Sequence, residues 1–381
     1  MPTLAAQYAD QFPVKRDHVY LNHAGVCPLP ICAVEAANAV LQQQLLHGAS
    51  DYTPWAVGIS AARRDVAALC GASKAEIAFV KNTTHGLLLA AGSLPWREGD
   101  NLVTAAIEFP ANIHPWLGLK RLGVQTRLVD AREGRILIDD LAAAMDSHTR
   151  ALALSWVQFS SGYRSDLAAL SELCRERGAY LIVDGIQGLG ALQLDLGALG
   201  VDFLCADGHK WLLSVEGCAA LYVNQRVIGA LNSANVGWMG MENCFDFLDY
   251  RFRPRPDARR FEEGSPSVVG IHALGASVAM LLQAGPAQIE REIIALTDTL
   301  ADRLQGLGCR ITSPRGAGEK SGLLTFTHPK VASADLAAAL NARQIVCVER
   351  AGNVRFSPHF YNDAEEIERA VEAVKQIAAA P

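Results

Sequence analysis

From about residue 75 to residue 223, the chain alternates short apolar runs of β character with longer stretches whose apolar positions recur at helical spacing. The apolar runs cover 77–80, 101–107, 124–129, 151–157, 180–183, 201–205 and 218–223. The clearest helix covers 166–178, opened by an aspartate and closed by a glycine. Runs of this kind, interleaved with helices, predict an α/β fold: a mostly parallel sheet covered by helices on both faces. Ligands of such sheets bind at the carboxyl ends of the strands. The pattern breaks near 235–260, a stretch rich in proline, arginine and aromatics. Beyond it, the spacing predicts a long helix over 285–307, a strand over 322–327 and a helix over 332–343. A hairpin-like pair over 345–349 and 354–357 and a last helix over 363–379 follow. The expected division is a large domain over 16–255 and a smaller α+β domain over 256–381 together with 1–15.

Composition narrows the classes. A chain of 381 residues, half of them hydrophobic and 19% charged, suits an ordinary globular protein of more than one core. Its net charge of −6, with no basic cluster beyond Arg251, Arg253 and Arg255, argues against a nucleic-acid or membrane partner. Nine scattered cysteines without a Cys-x-x-Cys pair read as reduced thiols of a cytoplasmic protein, with neither a disulfide frame nor a metal site. The N-terminus lacks the basic and apolar regions of a signal peptide, and the longest apolar segment, 270–285, is too short to span a bilayer.

Three stretches close predicted strands. Leu181-Ile182-Val183 leads to Asp184, with Gln187 one turn on. Cys205-Ala206-Asp207-Gly208-His209 leads to Lys210, a lysine set between two apolar segments. Phe79-Val80-Lys81-Asn82 runs into a helix whose first turn offers Thr83 and Thr84 and unpaired backbone N–H groups to an anion. A carboxylate, a half-buried lysine and an anion site at one sheet edge suit pyridoxal 5′-phosphate. The lysine would form a Schiff base with its aldehyde, helped by desolvation. The carboxylate would keep the ring nitrogen protonated, and the helix terminus would take the phosphate. Each piece alone has a plainer reading, as a solvated strand-end lysine or a helix cap.

The chain resembles the class V aminotransferases, the branch of fold-type I pyridoxal-phosphate enzymes that includes cysteine desulfurases and isopenicillin N epimerase-like proteins. The stretches that carry this are 19–30, Thr83-Thr84, Glu108-Phe109-Pro110-Ala111-Asn112 and Gln158-Phe159-Ser160-Ser161-Gly162. Val183-Asp184-Gly185-Ile186-Gln187, Gly208-His209-Lys210-Trp211 and Arg260-Phe261-Glu262-Glu263-Gly264-Ser265-Pro266 complete the set. The resemblance implies that Gln187 bonds the cofactor's ring hydroxyl and that Phe109 lies over its ring, where cysteine desulfurases carry a histidine. It implies that Ser265, opening a helix from Val268, reaches the phosphate of the partner subunit's cofactor, hence a homodimer with shared active sites. Arg355 would clamp the α-carboxylate of an amino acid substrate, the alternative being a surface hairpin arginine. His209 would shuttle protons or simply pack. Asn22 and His23 would meet the substrate, with a satisfied strand-end histidine as the other reading of His23.

Two departures stand out. Cysteine desulfurases place a nucleophilic cysteine on a long loop before the carboxylate arginine; here only Arg350-Ala351-Gly352-Asn353 is present, and Cys347 reads as a buried strand residue. Asp207 stands where relatives often have a hydroxyl on the phosphate, so it either points away or leaves the phosphate to Thr83, Thr84 and Ser265. The leading expectation is an aminotransferase in which Lys210 moves the proton at Cα. Alternatives are a carbon–sulfur lyase acting on a cysteine derivative, a desulfurase-like enzyme or an epimerase, and, of another class, an inactive cofactor-binding protein. A nicotinamide dehydrogenase is disfavoured, because no Gly-x-Gly-x-x-Gly follows an early strand.

Overall fold

The computed structural model describes residues 3–233 and 235–379. A short first strand, β1 (Val19–Tyr20), precedes seven strands that form the main sheet. These are β2 (Ile77–Val80), β3 (Asn101–Ala105), β4 (Gln125–Val129), β5 (Thr149–Ser155), β6 (Tyr180–Asp184), β7 (Phe203–Asp207) and β8 (Ala219–Val223). Their order is β2-β8-β7-β6-β5-β3-β4. Only β8 runs against its neighbours β2 and β7; the pairs from β7 to β4 are parallel. Nearly every residue of β2, β3, β5, β6, β7 and β8 is buried, which is why these strands read as continuous apolar runs. Helix Leu167–Arg177 ends as its sequence indicates, with Asp166 capping Ala168 and Ala169 and Gly178 in the left-handed region.

Two apolar clusters fill the opposite faces of this sheet, and a third holds the C-terminal unit. The latter contains β9 (Arg310–Ile311), β10 (Leu324–Thr327), β11 (Ile345–Val346), β12 (Val348–Arg350) and β13 (Asn353–Phe356). The cores do not divide at 255/256. Helix Val268–Ala284 packs through Ile271, Leu274, Val278 and Leu281 into the large cluster. Helix Pro286–Gly306 straddles both units, with Ile289 and Ile293 in one core and Leu300 and Leu304 in the other. At the other end, Val19 and Leu21 belong to the small core, because β1 pairs in parallel with β11. That pairing also corrects the expected hairpin: only Val348–Arg350 folds back on β13, while Ile345–Val346 is taken by β1. No single helix among the described residues is long and apolar enough to cross a membrane.

Candidate active site

The residues singled out in the sequence converge at the carboxyl ends of the parallel strands. Asp184 is the last residue of β6, Lys210 follows the end of β7 by one turn, and Thr83 opens the helix Thr83–Ser93 after β2. This helix lies close against β7, since a side chain at Gly86 would meet Cys205 Sγ at 2.3 Å. Asn82 caps the helix by accepting the His85 N–H at 2.8 Å. Thr83 Oγ1 accepts the Asp207 N–H at 3.1 Å and so ties the helix start to the end of β7. The first-turn N–H groups of Thr83 and Thr84 have no acceptor within the helix, as at any helix start.

Asp184 is buried, and its carboxylate accepts the Ile186 N–H at 3.0 Å. Its pKa is pushed up to about 7, chiefly by burial and further by the charge of Glu108, with the Ile186 N–H and Lys210 opposing. Burial pushes the Lys210 ammonium down to about 8; Asp184 opposes this, while Arg355 and Arg350 add to it. Lys210 Nζ stands 5.7 Å from the centre of the Phe109 ring, which is exposed and meets Phe159 edge-on at 5.2 Å. A lysine in this setting loses its proton more readily than a solvated one and is a better nucleophile.

Asp207 does not face the anion site as a free carboxylate. Its Oδ1 accepts the Gly208 N–H at 2.7 Å, and its Oδ2 lies 3.1 Å from His209 Nδ1, without hydrogen-bond alignment. Gln187 is buried, donating to the Ala24 carbonyl at 3.0 Å and accepting from Trp211 Nε1 at 2.9 Å. One of its amide hydrogens is left for a ligand. Arg355 is only 2% exposed, so the surface reading fails. Its Nη1 donates to the Phe159 carbonyl at 2.8 Å, and its Nε is buried without a partner. Burial and Arg350 pull its pKa down to about 10. A buried guanidinium with an unfilled N–H and no carboxylate partner among the described residues is a ready receptor for a ligand carboxylate. Asn22 Oδ1 is likewise buried and unpaired.

The substrate reading of His23 is corrected, and so is the place of Ser265 at the helix start. His23 is fully buried with both ring nitrogens engaged, Nδ1 with the Ser357 carbonyl at 2.8 Å and Nε2 with the Tyr361 hydroxyl at 2.6 Å. Its ring lies among Trp211, His359 and Tyr361, which leaves no face for a substrate. Ser265 does not cap the following helix; Ser267 does, accepting the Gly270 N–H at 3.3 Å. Ser265 lies exposed in a segment pinned by Glu262, which pairs with Arg63 and accepts the Phe79 N–H at 2.9 Å.

The β12–β13 turn carries no cysteine. Arg350 pairs with Asn353 across the β12–β13 turn, with Ala351 and Gly352 at positive φ. Cys347 is buried and its thiol is pushed up to about 12 by burial. Of the nine cysteines, all but the half-buried Cys32 are buried. Among the described residues no group of three or more His, Cys, Asp or Glu side chains is placed to hold a metal.

The family model for class-V aminotransferases matches residues 19–370. The chain belongs to the class-V aminotransferase family. It is 29% identical to a probable cysteine desulfurase of Methanothermobacter thermautotrophicus, over 96% of each chain. It is 26% identical to the uncharacterized aminotransferase YcbU of Bacillus subtilis, over 98% of each. Its fold matches the apo cysteine desulfurase of Thermococcus onnurineus with a TM-score of 0.89 and 23% identity, over 99% of this chain and 98% of that one. The cystine C–S lyase C-DES, solved with its reaction product cysteine persulfide, matches with a TM-score of 0.88 and 23% identity, over 96% and 99%. The same lyase has been solved with glycine covalently linked to its pyridoxal-phosphate cofactor. The cofactor expected from Lys210, Asp184 and the helix start is thus that of the family, and the depressed Lys210 ammonium and the spare amide hydrogen of Gln187 fit it.

Proposed function

We propose that this protein is a pyridoxal-phosphate enzyme that takes the Cα proton from a cysteine-derived amino acid and expels a sulfur group from Cβ. The observation that carries this reading is a site of half-buried Lys210 with buried Asp184 and Arg355, without an accessible thiol in the β12–β13 turn. A desulfurase needs a thiolate to attack the substrate sulfur; with Cys347 buried and protonated, sulfur has to leave by elimination. The cysteine desulfurases and the cystine lyase among the relatives support sulfur-containing substrates.

When bound, the cofactor supplies an electron sink for the charge that develops at Cα. Lys210 would hold the cofactor, and its Nζ, when free, would take the Cα proton. Asp184 keeps a proton at the ring nitrogen, and Phe109 fixes the ring plane. Thr83, Thr84 and the first-turn N–H groups bind the phosphate, with Ser265 reaching across from a partner subunit in a homodimer. Gln187 offers its free amide hydrogen to the ring hydroxyl. Arg355 binds the α-carboxylate through Nε, and Asn22 offers its unpaired Oδ1 to the substrate. His209, beside Asp207, is placed to pass protons near Lys210. As the Cβ–S bond breaks, its electron pair leaves with sulfur, and hydrolysis of what remains gives pyruvate and ammonia.

Transamination, the leading expectation from sequence, is the second reading, supported by the family and by YcbU. Incubating the holoenzyme with L-cystine and with ordinary amino acids separates the two. Elimination releases pyruvate, ammonia and a sulfur product from cystine. An oxo acid that keeps its side chain, formed with the aminated cofactor, would overturn the lyase in favour of the transaminase.

A further inference from the structure

Glu108 is a buried carboxylate, 6% exposed, that forms no ion pair with any described cation. Such a charge is costly to bury unless it is fully hydrogen-bonded. Its surroundings supply four donors. Oε1 accepts the Ser155 N–H at 2.8 Å and Gln158 Nε2 at 2.6 Å. Oε2 accepts Asn112 Nδ2 at 3.0 Å and the Ser155 hydroxyl. Asn112 is itself oriented by Trp116 Nε1, which donates to its Oδ1 at 3.0 Å. Burial pushes the Glu108 pKa up, while the four donors favour its ionised form and hold it in place.

Its location is specific. Ser155, which gives Glu108 two of its four hydrogen bonds, is the register partner of Asp184 on the neighbouring parallel strand. Trp156, the next residue, donates its N–H to the Asp184 carbonyl at 2.9 Å. Glu108 also immediately precedes Phe109, the ring beside Lys210. Glu108 follows β3 and Asp184 ends β6, with β5 and its Ser155 between them; the charge of Glu108 raises the pKa of Asp184 and that of Lys210 opposes it. Like charges that act on one another in a buried site are destabilising unless a positive charge lies between or beside them.

We propose that Glu108 is a positioning residue that acts through Asp184: a fixed second negative charge that strengthens the hold of Asp184 on the proton at the cofactor's ring nitrogen. The inference rests on the cofactor reading above. Orphaned Gln158 Oε1 makes the test practicable. Glu108→Gln removes the charge with the shape kept; its new amide meets a donor at either oxygen position, so Gln158 has to turn over to present that oxygen as an acceptor.

The experiment is a pH titration of the ring nitrogen by 15N NMR, with labelled pyridoxal phosphate bound to the full-length wild type, Glu108→Gln and Glu108→Asp. The expected result is a midpoint about one pH unit lower in Glu108→Gln than in the wild type. The charge-retaining Glu108→Asp should stay closer to the wild type, even where its melting temperature falls further. If Glu108→Gln does not fold, Gln158→Leu removes one donor from the carboxylate and should lower the midpoint in the same direction. Cofactor capture with an unmoved midpoint in the folded variant would overturn the proposal and leave only a packing role. Failure of the wild type to capture the cofactor would instead overturn the reading it rests on.

Discussion

Replacing Asp184 with asparagine should stabilise the cofactor-free protein while crippling the enzyme. The Asp184 carboxyl, normally near 3.8, is pushed up to about 7, first by burial. An acid whose pKa rises on folding costs nothing below its unfolded value and its full shift above its folded one. Wild-type stability should therefore fall as pH climbs from about 4 to about 7. A rise of about three units amounts to ~4 kcal/mol at most. The amide keeps an acceptor for the Ile186 N–H but carries no charge to desolvate. Part of the gain is returned, because Asp184 opposes the burial penalty on the Lys210 ammonium. A net gain of about 2–4 kcal/mol at pH 8 remains. For a chain of this length that is on the order of 5 °C in melting temperature. Thermal unfolding of both cofactor-free proteins at pH 5 and pH 8 reads it directly. The gain should shrink at pH 5, where most wild-type molecules carry a protonated, neutral Asp184. A variant no more stable than the wild type at pH 8, or a gain equal at both pH values, would refute the reasoning.

Three further outcomes are expected. The rate of covalent cofactor capture by the apo-protein should rise with pH and reach half its maximum near pH 8, as the Lys210 ammonium gives up its proton; Lys210→Ala should capture none while keeping its far-UV circular dichroism. Arg355→Met should raise KM for the amino acid and lower kcat/KM about 10- to 100-fold, the worth of a charge-assisted hydrogen bond of ~1.5–3 kcal/mol; an unchanged kcat/KM would remove Arg355 from the substrate site. Cys347→Ala should keep kcat/KM within about twofold with cystine as substrate, because the thiol is buried and protonated; a 100-fold loss would restore the thiolate mechanism.

The sheet was legible because its strands are buried on both faces, so apolar runs marked 77–80, 180–183 and 201–205 directly. Asp184 and Lys210 were legible for a related reason: Asp184 directly follows such a run, and Lys210 stands a turn beyond another, set between two apolar segments. What escaped depended on partners distant in the chain. Residues 345–349 read as one strand of a hairpin, yet Ile345–Val346 pairs with Val19–Tyr20, more than 300 positions earlier. Helix Val268–Ala284 followed an apparent break but buries its apolar face against the helices Ile31–His47 and Thr53–Cys70. His23 looked like a site residue because it lies in a site-like motif; only the fold shows Ser357 and Tyr361 closing over it. Glu108 carried one local signal, a carboxylate just after an apolar strand, and its four donors come from three separate positions in the chain.

The central claim is that Lys210 carries the cofactor, and borohydride reduction of the holoenzyme followed by peptide mass spectrometry tests it most directly. The account predicts a pyridoxyl adduct on the peptide containing Lys210 and on no other lysine. An adduct elsewhere, or none after incubation with pyridoxal phosphate, would contradict it.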